Sequence, residues 1–221
     1  MKLFWQFFLV ILVVGFIALH AVLTAIFAAP FLGVSPWYAV FSVLAFSLII
    51  ICIDLVVTFL LRILPLKIYA SSKRAMRPKK HERKFFRRIG IKRWKIIVPD
   101  ILSILKIFDK SKLKNTDNPD YMFKFLCEMG WAEMVHIVAF FAGFLAIFVP
   151  IGWLFTGYLN TSTITGEYII LTISQVLIFV LPLAILNAFV NLLPVCVQRY
   201  NRPVIIKLYQ RALRLKGKIR T

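Results

Sequence analysis

The sequence predicts an all-α integral membrane protein with four transmembrane helices and a basic cytoplasmic middle segment that contains short interfacial helices. Three observations carry that expectation. First, 61% of the 221 residues are hydrophobic and 17% are charged, against roughly 45–50% and 25% in soluble domains. A water-soluble globule of this length has no interior large enough to hide so much apolar side chain, and a chain this apolar is not disordered. Second, the apolar residues fall in runs of about 20 or more, the length that carries a helix across roughly 30 Å of hydrocarbon. Third, the charge lies between those runs: 28 Lys and Arg oppose 9 Asp and Glu, a formal net charge of +19.

The first span runs from about Leu3 to Ala29. It follows a single Lys2, but its apolar run is too long for a signal peptide and shows no small-x-small cleavage site, so an uncleaved helix is expected. A turn from Pro30 to Pro36, with Gly33 and Ser35, leads into a second span from about Trp37 to Leu64. The third span runs from about Trp131 to Phe155, and the fourth from about Tyr168 to Val190 or a little beyond. The segment from Lys67 to Lys114 carries 17 of the basic residues and the tail from Arg199 carries eight. The turn from Pro30 to Pro36 and the loop from Thr156 to Glu167 carry none. Lys and Arg concentrate on the cytoplasmic side of membrane proteins, so a multi-pass cell-membrane protein with both termini and the middle segment in the cytoplasm is expected. The chain then divides into an N-terminal hairpin (1–66), a basic cytoplasmic or interfacial segment (67–130), a C-terminal hairpin (131–198) and a basic tail (199–221), all one membrane domain.

Residues 71–95 form a basic block with interleaved aromatics, either lying against anionic headgroups or serving as a plain topology signal. Asp100 is placed to cap a short helix carrying Ile101, Ile104, Leu105 and Phe108 on one face, suited to the membrane interface. Asn118-Pro119 signals another helix, with Asn as cap and Pro in the first position, running through Glu128 towards the third span. Membrane lipids are therefore expected partners. Nucleic acid is not, since no aromatic-basic recognition motif is present. Cys52, Cys127 and Cys196 are far apart and show no metal or redox spacing.

Ionisable side chains inside a span are costly unless paired or wet, which makes each a functional candidate. Glu133 and His136, three apart, share one helix face. A carboxylate that orients an imidazole can make it the base that deprotonates an attacking hydroxyl; the same pair can instead staple helices together. One His and one Glu fall short of the usual three protein ligands, so no metal is expected. Asn187 and Asn191 are four apart on the fourth span, with Pro194 beyond, and amides commonly join membrane helices. The following Gln198–Pro203 segment offers two arginines and two amides that can grip a phosphate or a carbonyl oxygen. Asp54 falls near mid-membrane and His20 towards the opposite side from the basic segment, so each is expected to hydrogen-bond between helices or to line a polar cavity.

Arg93-Trp94-Lys95 with Pro99-Asp100, then Glu128, Ala132-Glu133, His136, Asn191, Pro194 and the block Gln198-Arg199-Tyr200-Asn201-Arg202-Pro203 resemble the glycosyl-4,4'-diaponeurosporenoate acyltransferase family. The resemblance covers about 90–136 and 187–216. It implies a small bacterial membrane enzyme of carotenoid biosynthesis that moves a fatty acyl chain onto a sugar hydroxyl of a glycosylated carotenoid. It further implies His136, held by Glu133, as catalytic base, with Arg199, Asn201, Arg202, Asn191, Arg93 and Trp94 binding substrate. Acyl-CoA or acyl carrier protein is the implied donor, arriving from the cytoplasm, with a lipophilic acceptor and no cofactor. Val204 stands where the family's block carries a basic residue.

Other readings stay open on the residues alone. A non-catalytic scaffold or lipid-binding protein of the bacterial envelope would use Glu133 and His136 only as a helix staple. A reductase or methyltransferase acting on a prenyl or lipid substrate lacks support from any glycine-rich nucleotide fingerprint. A transporter lacks a visible inverted repeat.

Overall fold

The computed structural model describes residues 2–70, 80–95, 98, 113, 115–148 and 173–219, and all regular structure among them is helical. The helix expected after Asp100 lies outside the described residues, as do 71–79, the loop from Thr156 to Glu167 and the adjoining ends of the third and fourth spans. Four helical stretches are long and apolar enough to cross a membrane: Phe7–Leu32, Pro36–Ile63, Pro119–Phe148 and Ile173–Gly217.

Helix α1 (Lys2–Leu23) continues through a π-turn (Thr24–Ala28) into one further α-turn (Ala29–Leu32). Pro30 accounts for the widening, because it brings no N–H to the carbonyl of Ile26 and its ring crowds that carbonyl. Thr24 Oγ1 lies 2.9 Å from both the His20 and Ala21 carbonyls, a hydroxyl satisfied on its own helix. Gly33 ends the helix in the left-handed region at φ +65°, with its N–H on Pro30 O at 3.2 Å and that of Val34 on Ala29 O at 3.0 Å. Glycine suits that position because it has no Cβ to clash there.

Helix α2 (Pro36–Ile63) begins with Ser35 Oγ accepting the Tyr38 N–H at 3.2 Å, and a 3-10 turn (Leu66–Tyr69) follows Pro65. The basic segment supplies helices α3 (Lys80–Arg88) and α4 (Ile91–Trp94), separated by Gly90 at φ +67°. Helix α5 (Pro119–Ala142) starts where Asn118-Pro119 predicts. Asn118 Oδ1 accepts the N–H groups of Asp120 at 2.9 Å and Tyr121 at 3.2 Å, satisfying donors that the first helical turn leaves open. The lead-in from Pro119 and the third span are thus one helix, which passes into a 3-10 stretch (Gly143–Phe148). Helix α6 (Leu181–Ile219) follows a π-turn (Val176–Val180), again just ahead of a proline, Pro182. It runs on through Pro194 and Pro203, so the basic tail continues the fourth span's helix.

The chain forms two compact units. One comprises residues 10–57 and 139–190 and has an apolar core around Ala39, Val43, Phe46, Ala146, Phe179 and Val180. Within it Asn187 Nδ2 donates to Asp54 Oδ1 at 3.3 Å and to the Ala139 carbonyl at 3.4 Å. Gly143 makes room for this, since an added Cβ would collide with the Asn187 amide. His20 stacks on Phe16, with ring centres 6.1 Å apart.

The other unit comprises 1–9, 58–138 and 191–221. Its packing centres on Met122, Phe125, Leu126 and Met129 against Ile205 and Ala212, and on Tyr69 against Trp131, Ala132 and Val135. Here α5 and α6 run antiparallel, as a ladder of contacts shows. Asp120 meets Lys216 at 3.4 Å and Phe123 meets Tyr209 at 6.0 Å between ring centres. Glu133 meets Arg199, and His136 meets Asn191.

Candidate functional site

The site residues lie in the unit containing 58–138 and 191–221, mostly on α5 and α6. Positions 191, 195, 199 and 202 follow the three-to-four spacing of one helix face, and that face of α6 turns Asn191, Arg199 and Arg202 to α5. Glu133 is 1% exposed and Arg202 is fully buried. Glu133 Oε1 accepts from Arg199 Nε at 2.9 Å, while Oε2 pairs with Arg202 Nη2. Arg199 then reaches further: its Nη1 donates to Glu82 Oε1 on α3 at 2.9 Å. Two guanidiniums and two carboxylates therefore form one chain of contacts with balanced formal charge. Balance of this kind is what lets a charged side chain stay ionised away from water.

His136 takes a different partner from the one its spacing predicts. Glu133 and His136 share a face of α5, but the carboxylate is drawn to the two full positive charges on α6, and the imidazole is met by an amide. His136 Nδ1 lies 2.8 Å from Asn191 Oδ1, with Asn191 buried. An amide oxygen accepts and does not donate, so in this arrangement Nδ1 carries a proton, and in the neutral form of the ring the lone pair falls to Nε2.

Among the other sequence-predicted residues, Asn201 is half-buried on α6 and Arg93 is exposed on α4. Trp94 is half-buried, with its indole N–H on the Ile89 carbonyl at 3.0 Å, closing the turn between α3 and α4. Lys95 Nζ sits 5.9 Å from the centre of the Tyr200 ring. Among the described residues, no group of three or more His, Cys, Asp and Glu comes together to hold a metal ion.

Sequence reasoning missed three contributors. Glu82 is the single acid in the run of Lys and Arg from 71 to 95, and that scarcity is its signal in the sequence. Arg62, at the end of α2, makes a two-pronged pair with buried Glu128, Nη1 to Oε2 at 3.1 Å and Nη2 to Oε1 at 3.3 Å. The same guanidinium lies 4.7 Å from the centre of the Trp131 ring. Gly130 lets α5 approach the 3-10 turn, because an added Cβ would collide with the Tyr69 carbonyl oxygen. Tyr69 itself is buried and donates its hydroxyl to the Leu61 carbonyl. Burial pushes its phenol above the ordinary value while the Arg62 charge pulls the other way, and the hydroxyl stays the neutral donor that this bond requires.

Fold and site together define a helical membrane protein that holds an amide-positioned imidazole and a buried carboxylate–guanidinium cluster in one unit. Over residues 65–211 the chain matches the model of the glycosyl-4,4'-diaponeurosporenoate acyltransferase family, and it belongs to that family. The family's name denotes an acyltransferase in carotenoid biosynthesis. The matched range contains Glu82, Glu133, His136, Asn191, Arg199 and Arg202. No curated relative and no solved structure matches the chain.

Proposed function

We propose that the protein transfers a fatty acyl group from a thioester donor to a hydroxyl of a lipophilic acceptor, of the kind a glycosylated carotenoid presents, at the cytoplasmic face of the cell membrane. The observation that carries this reading is the 2.8 Å contact between His136 Nδ1 and Asn191 Oδ1, inside the region matched to an acyltransferase family. With Nδ1 so occupied, His136 Nε2 takes the proton of the acceptor hydroxyl as its oxygen attacks the thioester carbonyl. The C–S bond then breaks, and the imidazolium returns its proton to the departing thiolate. A base of this kind contributes about 10²–10⁴-fold in rate.

The two arginines divide the electrostatic work. Arg202, fully buried against Glu133, anchors the carboxylate. Arg199, with about a third of its side chain exposed at 30%, is the guanidinium presented to an anionic donor or to the oxyanion. Positive-inside topology supports a cytoplasmic site, because the basic segment and tail both feed residues into it.

The test is lipid and pigment mass spectrometry of the native organism with wild type or His136→Ala, at matched membrane levels of the protein. A species heavier by one fatty acyl group is expected with wild type and lost with the variant. Its persistence in the variant would overturn the base assignment. A scaffold reading draws on one observation, the complete engagement of Glu133 by arginines. It would be favoured if His136→Ala left every lipid unchanged while Glu133→Gln removed the protein from the membrane.

A further inference from the structure

The half-exposed end of the ion-pair chain has a property that the acyl-transfer chemistry does not explain. Arg199 is oriented from one side by Glu133 through Nε, and its Nη1 edge is turned to Glu82. That second pair is partly open, with side-chain exposures of 30% for Arg199 and 27% for Glu82. Glu82 Oε1 accepts the Arg199 N–H, but Oε2 is buried and meets no donor among the described residues. A carboxylate that is desolvated at one oxygen and satisfied only at the other is held less firmly than one gripped at both. Around it, Lys84, Arg87, Arg88, Lys92 and Arg93 are exposed, and Glu82 is the sole acid from position 80 to 95.

We propose that the Nη1 edge of Arg199 is a subsite for a phosphate group of the acyl donor, and that Glu82 fills it as the chain's own surrogate anion until the donor binds. The proposal rests on the acyltransferase reading for the donor's identity and names the chemistry recognised there. A planar guanidinium fixed at Nε offers a fork that fits phosphate oxygens as well as a carboxylate. A phosphate carries about −1.5 to −2 charges where Glu82 carries one, and the exposed cations of α3 and α4 favour the more highly charged guest. Glu82 thereby sets a threshold: weakly charged anions do not displace it, and phosphate-bearing ones do.

The experiment measures calorimetric binding of coenzyme A to the full chain in phosphatidylcholine nanodiscs. Glu82→Gln keeps the side chain's shape and removes its charge. It is expected to tighten coenzyme A binding by about fivefold, the scale of one partly exposed ion pair. Pantetheine, which lacks phosphate, is expected to gain nothing, and the gain should vanish in the Glu82→Gln/Arg199→Gln double variant. Unchanged or weaker coenzyme A binding, with a lowered melting temperature, would make Glu82 a helix staple and overturn the proposal. An equal gain for pantetheine would overturn it as well. In phosphatidylglycerol nanodiscs, suppression of binding in the variant alone would assign the subsite to lipid headgroups and overturn the donor assignment. The two readings fail separately. A tightened coenzyme A response without acyl transfer would keep the subsite and sink the transferase, while transfer dependent on His136 with no Glu82 effect would do the reverse.

Discussion

All 28 Lys and Arg fall in the unit built from residues 1–9, 58–138 and 191–221, and none falls in the unit built from 10–57 and 139–190. The first unit buries formal charge and balances it: Glu128 against Arg62, and Glu133 against Arg199 and Arg202. Among the described residues the second holds one carboxyl, the half-buried Asp54, and meets it with the neutral amide of Asn187. The difference teaches what each polar group is for. A buried ion pair is weak evidence of added stability, because desolvation cancels much of its attraction, yet removing one partner is severe because the other is left charged and stranded. A carboxyl–amide contact strands nothing when it is altered.

That contrast orders the expected effects of substitution. Glu133→Gln leaves the fully buried Arg202 without its counter-charge and should cost about 3–5 kcal/mol, read from denaturation in detergent micelles followed by far-UV circular dichroism. Loss of less than about 1 kcal/mol would mean that the cluster is already hydrated, and the contrast between the units would break. Gly130→Ala comes next. Its new methyl meets main chain at Tyr69 and not the tip of a flexible side chain, so about 1–3 kcal/mol is expected by the same measurement. Asp54→Asn should be mildest, near the ~0.6 kcal/mol average of hydrogen bonds between membrane helices. An effect as large as that of Glu133→Gln would show that Asp54 is charged in the folded protein and would redraw the comparison.

Much of this architecture is legible in the sequence, for identifiable reasons. Span length, Lys and Arg clustering and the Asn118-Pro119 signal are local or compositional features, and the helices and the α5 cap follow them. Helix spacing also placed Glu133 and His136 correctly on one face. It failed to say which partner each would choose, because that depends on what α6 presents across from them. Position 133 meets cations and position 136 meets an amide only through the antiparallel register of two distant stretches. The Glu82 contact joins residues 117 positions apart, and no periodicity within α3 encodes it. Gly130 reads as an ordinary small residue until the Tyr69 turn is laid against it. Pro30, read from sequence as the start of a turn, lies inside a helix that continues to Leu32, and how the helices accommodate the missing donors of Pro30 and Pro182 is a property of the packed chain.

The two carboxylates of α5 also stand differently in time. Glu128 pairs with an arginine 66 positions earlier, and Glu133 with one 66 positions later. As the chain is synthesised, Glu128 finds Arg62 already made, whereas Glu133 must wait for Arg199. At about 5–20 residues per second that wait is roughly 3–13 s. During it α5 carries an acid whose neutralising partner does not yet exist, so both halves of the Arg62–Glu128 pair are made well before the cluster that defines the site can assemble.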